Sequence, residues 1–152
     1  MANTCFFDIR IKGKKKNVIR VSEWINASTL NFNLEQEAFE KANLNKEIVA
    51  EGRGECKWSC RLNFEDGPNY VAKTTLKDFC LMQDVEAEIF SCEPMNGFAE
   101  HIYIGKDGHF VYEQAKYMEK DIPNEDRVGT YCALIEGGYS PNSDFAWSWK
   151  LK

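Results

Sequence analysis

Apolar and polar residues alternate in the opening stretch of the chain. Phe7, Ile9 and Ile11 are interleaved with Asp8, Arg10 and Lys12. A period of two is the mark of a strand with one buried face, so a strand is predicted over Cys5–Lys12 and is ended by Gly13. The period then changes. Val18, Val21, Trp24 and Ile25, widened by Ile19, recur at spacings of three and four. That spacing predicts an amphipathic helix over 15–27. Residues 29–45 show no such rule. Glu35–Lys41 is helical by propensity with Ala38 and Phe39 as apolar anchors, and an irregular excursion is the alternative.

Lys46–Arg53 reads as a strand and Gly52-Arg53-Gly54 as a turn. Cys56, Trp58, Cys60, Leu62 and Phe64 then alternate with Lys57, Ser59, Arg61 and Asn63. Together the two runs predict a hairpin. Asp66-Gly67-Pro68-Asn69 marks a turn. Thr74 or Thr75 is placed to cap a short helix carrying Leu76, Phe79, Cys80 and Met82. Val85, Ala87 and Ile89 alternate with Glu86 and Glu88 in a further strand, which Pro94–Gly97 breaks. Asp107-Gly108 between runs at 98–104 and 109–117 is the strongest hairpin signal in the chain. Beyond it lie a charged loop over 119–126, an undecided fragment over 131–135, and a last strand carrying Phe145, Trp147, Trp149 and Leu151.

The order strand, helix, strand, strand, helix, strand predicts an α+β fold. It is the ferredoxin-like β-α-β-β-α-β unit, an antiparallel sheet with helices on one face. A C-terminal hairpin and final strand extend it within a single domain over 1–152.

Composition agrees with a globular domain: 152 residues, 43% hydrophobic and 28% charged. No apolar run reaches the roughly 18 residues of a membrane helix. The opening MANTCFFDIR lacks the layout of a signal peptide, so a cytoplasmic location is expected. The net charge of −5 argues against a dedicated nucleic-acid binder. Its distribution is uneven. Six cations and no acid stand between Ile9 and Ser22, and six acids with no Lys or Arg between Asp78 and Gly105. The electrostatic picture is therefore two-sided.

Six cysteines stand at 5, 56, 60, 80, 92 and 132. They read as reduced cytosolic thiols. Cys56-x3-Cys60 departs from the C-x2-C knuckle, and no second pair completes a zinc set, so small buried hydrophobes are expected. No metal and no cofactor is expected. His101 and His109 flank the Asp-Gly hairpin and are expected to face solvent. A two-histidine phosphoesterase wants a hydroxyl residue two places after each histidine; here Tyr103 and Val111 stand there and the pair is too close for two half-sites, and no local signature selects a Cys-His pair. There is no P-loop and no G-x-G-x-x-G.

Met1-Ala2-Asn3 with Cys5 opening a strand, Glu93-Pro94-x-x-Gly97-Phe98 before Lys106-Asp107-Gly108, Gly54-x-Cys56-x-Trp58-Ser59, and the Trp147-x-Trp149 ending resemble the YubB ferredoxin-like family. Members of that family occur on plasmids, on phages and in Firmicute genomes. The resemblance implies a fold and a mobile-element setting, and no catalytic residues.

The expected function is a non-enzymatic, cytoplasmic protein-binding module of a mobile element. Its acidic face (Glu86, Glu88, Glu93 and Glu100) would engage a host protein with a basic surface, in its sharpest form as an anti-CRISPR-like inhibitor. The alternative is a nucleic-acid-binding accessory protein holding phosphates with Lys12, Lys14, Lys15, Lys16 and Arg20. A small hydrolase using His101 and acidic groups is the third reading.

Overall fold

The change of period near Gly13 becomes a strand running directly into a helix. In the computed structural model, residues 4–35, 39, 43–57, 59–61, 64, 74–93 and 98–116 are described. Strand β1 spans Thr4–Lys14 and helix α1 spans Lys15–Ser28. Helix α1 buries Val18, Val21, Trp24 and Ile25, the predicted stripe. Its first turn carries Lys15 and Lys16 with no acid, an unfavourable load at the positive end of the helix dipole. The chain compensates from within: Lys15 N–H and Lys16 N–H donate to the carbonyls of Lys46 and Leu44 at 2.9 and 3.0 Å.

The stretch without a clear pattern contains a strand, β2, over Leu30–Leu34. Strand β3 spans Glu47–Lys57 and pairs antiparallel with both β1 and β2. This corrects two expectations. Gly52-Arg53-Gly54 is not a turn but the middle of β3. Cys60, Arg61 and Phe64 have helical backbone, so 46–64 is not a hairpin. The glycines are there for close approach. A Cβ on Gly52 would fall 2.8 Å from the Asn33 carbonyl oxygen, and one on Gly54 would fall 2.5 Å from the Phe7 ring. Phe7 and Phe32 stack at 6.0 Å where that room is made.

Helix α2, Leu76–Met82, begins at Thr75, whose Oγ1 accepts a hydrogen bond from Asp78 N–H at 3.1 Å. It buries Leu76 and Cys80, whereas Met82 is 70% exposed. Strands β4 (Glu86–Glu93), β5 (Phe98–Ile104) and β6 (Phe110–Lys116) follow. The β5–β6 hairpin closes as predicted, with Gly108 at φ 88°.

The protein is α+β, with a six-stranded antiparallel sheet in the order β2-β3-β1-β4-β5-β6. One core cluster joins Cys5, Phe7, Ile9 and Ile11 of β1 to the buried faces of both helices and to Ile89, Ile102 and Ile104. No helix among the described residues is long and apolar enough to cross a membrane. The predicted turns at 66–69 and 94–97, and every expectation beyond Lys116, lie outside the described residues.

Candidate functional site

The four carboxylates expected to form one docking face do not form one. The pleat of β4 sends Glu86 and Glu88 to the face opposite Ala87 and Ile89, while Glu93 shares the side of Ile89, and Glu100 of β5 shares that of Ile102. Glu88, Glu93 and Glu100 are 0, 0 and 1% exposed, and Glu86 is half-buried. Glu88 Oε2 lies 2.9 Å from His101 Nε2, and His101 stacks on Phe90 at 4.5 Å. Glu86 accepts the Tyr103 hydroxyl at 2.6 Å. Burial, then this bond, pushes the Tyr103 phenol above its ordinary range. Buried carboxylates with internal partners cannot lend their charge to a docking surface. Glu88 and Glu93 of β4 are buried on opposite faces of the strand, unlike the single exposed acidic face expected. The expectation for His101 changes with it: His101 is buried, and only His109 is exposed.

The basic segment is likewise partly engaged. Lys12 Nζ faces Glu47 at 3.9 Å, Lys15 Nζ donates to the Phe39 carbonyl at 2.6 Å, and Arg20 donates to Gln83 Oε1 at 3.3 Å. Lys14, Lys16 and Arg20 are exposed. Two of the N–H groups that would cradle a phosphate at the start of α1, those of Lys15 and Lys16, are already bonded to carbonyls.

Two other arrangements carry more chemistry. The first is a cluster of sulfur. Cys5 and Cys56 are register partners across β1 and β3, and Cys60 follows four residues after Cys56, where the chain has left the strand. Their Sγ atoms lie within 4.8 Å of one another, with Cys56–Cys60 at 3.4 Å and Cys5–Cys60 at 3.9 Å. Glu100 reaches in from β5. Its Oε1 accepts Cys60 N–H at 3.0 Å and Ser91 Oγ at 3.2 Å, and lies 4.0 Å from Cys5 Sγ. Its Oε2 accepts the Tyr112 hydroxyl at 2.8 Å, and the Arg61 guanidinium sits 4.5 Å over the Tyr112 ring. Hydrogen bonding from Cys56, then from Cys60, holds the Cys5 thiol well below its ordinary range against the opposing effect of burial. Burial first, then Cys5, holds Cys60 up. Burial, then the Cys5 charge, raises the Glu100 carboxyl.

The second arrangement is an open groove of about 460 Å3 between α1 and β2. Ile19, Phe32, Leu34 and Phe39 supply its apolar surface, and Lys15, Glu23 and Asn33 supply polar groups. Strand β2 is an edge of the sheet, and no strand among the described residues pairs with its outer side.

The sequence showed Cys56 and Cys60 but not Cys5 or Glu100 as their neighbours, because those contacts come through β1 and β5. The groove left no signal, since β2 itself was not recognised. No protein-family model, no curated protein and no solved structure matches this chain.

Proposed function

We propose that the protein is a non-enzymatic binding module of ferredoxin-like topology that takes an extended segment of a partner protein into the groove between α1 and β2. The order β2-β3-β1-β4, with α1 after β1 and α2 between β3 and β4, supports the topology. The observation that carries the binding reading is the groove itself. Apolar side chains line it, and it lies along an edge strand with backbone hydrogen-bonding groups to offer. An added strand would pair with β2 while its alternate side chains enter the groove. The YubB resemblance would make the partner a host protein met by a mobile element. Inhibition of a host defence nuclease is the specific form of that reading.

The test is affinity capture from host lysate with the full chain and two variants. Ile19→Glu, in the groove, should lose the retained protein while keeping the wild-type melt. The Lys14→Glu, Lys16→Glu pair should retain it. Capture indifferent to Ile19→Glu would refute the groove. Nuclease-sensitive capture that falls with salt and disappears in the lysine pair would favour nucleic acid instead.

A further inference from the structure

We infer that Cys5, Cys56, Cys60 and Glu100 form a closed four-ligand site for a structural zinc ion. In a tetrahedral zinc site with thiolates at about 2.3 Å, sulfur atoms stand about 3.8 Å apart, and a carboxylate oxygen at about 2.1 Å stands about 3.6 Å from each sulfur. The sulfur separations of 3.4 and 3.9 Å bracket the first value. The 4.0 Å from Glu100 Oε1 to Cys5 Sγ lies close to the second. A thiolate-rich donor set selects zinc over magnesium or calcium, and four protein ligands leave no open position for substrate.

Three buried thiols alone would be small hydrophobes. The carboxylate changes the reading. Glu100 is 1% exposed, on the same side as the thiols, and is held there by Cys60 N–H, Ser91 and Tyr112. Orienting bonds of this kind fix a ligating carboxylate in metal sites. Three thiolates and a carboxylate around Zn2+ leave a net charge of −2, as a four-cysteine site does, and Arg61 over Tyr112 lies nearby to offset it. Binding displaces the thiol protons to solvent as the Zn–S bonds form, with no change of oxidation state. The ion would tie β1 and β5 to the Cys56–Cys60 segment, three stretches far apart in the chain. This inference is independent of the groove.

The experiment uses the full chain, reduced and stripped by chelator, in a Cys92→Ser, Cys132→Ser background. It is titrated with Co2+ and then Zn2+. One cobalt per chain should bind with thiolate charge-transfer and intense tetrahedral d–d bands, both bleached by zinc. Cys80→Ser should bind as the parent does. Tyr112→Phe keeps all four ligands but frees Glu100 Oε2, and should weaken zinc binding about 10–100-fold. Cys5→Ser should lose the charge-transfer band. Three results would overturn the inference: no tetrahedral spectrum from the parent chain with its thiols free, a full spectrum surviving in Cys5→Ser, or loss of two thiols on mild oxidation without metal uptake. The last would make Cys56 and Cys60 a disulfide pair. The parent titration decides the question even where a cysteine variant fails to fold.

Discussion

Gly54 stands directly opposite Phe7 across the β1–β3 pair, and the Phe7 ring occupies the space that a side chain at 54 would need. Strand β3 can lie between two neighbours here only because it is bare at this point. The Phe7 ring is completely buried and packs edge-on to Phe64 at 5.7 Å, so it has little room to retreat. Gly54→Ala should therefore destabilise the fold by about 1–3 kcal/mol, the usual penalty of overpacking. A denaturant melt measures it. An unchanged midpoint would show that Phe7 can move aside.

The same residues explain why the fold was legible in some places and not others. The alternation of Phe7, Ile9 and Ile11 and the helical spacing of Val18 to Ile25 are local facts, and the structure keeps them. The Asp107-Gly108 hairpin is also local. Gly52 and Gly54 misled because a pair of glycines signals a turn locally, whereas here they answer to Leu34, Asn33 and Phe7, contributed by two other strands. Strand β2 was invisible for a related reason. It is five residues long, and its register shifts between Leu30 and Asn33, with Asn31 at φ 53°, so its period of two is broken. The candidate site was half legible: Cys56 and Cys60 lie four residues apart in the chain, but Cys5 and Glu100 meet them only through pairing.

Helix α2 ends on a residue that does not suit its conformation. Val85 N–H bonds the Cys80 carbonyl at 3.0 Å and Asp84 N–H bonds that of Leu81 at 3.2 Å, the paired bonds of a Schellman turn. Its left-handed position is held by Asp84 at φ 55°, where glycine is usual. Asp84→Gly should raise stability by about 1 kcal/mol or less, since the gain in φ is partly offset by glycine's entropy. Thr75→Ala at the other end should lower it by about 1 kcal/mol through loss of the cap. Opposite shifts of the thermal midpoint are the expected outcome.

The Glu88–His101 pair makes a prediction about charge reversal. Glu88→Gln keeps a hydrogen-bonding group beside the imidazole and should cost little beyond the lost charge assistance. Glu88→Lys puts an ammonium where no exposed surface receives it, at about 3–5 kcal/mol for an uncompensated buried charge. Urea midpoints of the two variants should differ by most of that amount. Equal midpoints would mean that the strand face opens readily to water, and would restore Glu88 to the surface.

Alkaline pH should expose the burial of Cys80. Burial pushes its thiol from 9.0 up to about 12. The native state therefore keeps a proton that the unfolded chain releases above 9, so the unfolded state binds fewer protons and stability falls as pH rises. The fall begins near the ordinary thiol value, continues to about 12, and is absent below it. Cys80→Ala removes this contribution. The variant starts less stable at neutral pH because of the cavity, but its stability should decline less steeply than the parent's over that range. Parallel declines would show that Cys80 ionises in the folded state as freely as in the unfolded one, and so is not sealed beneath α2.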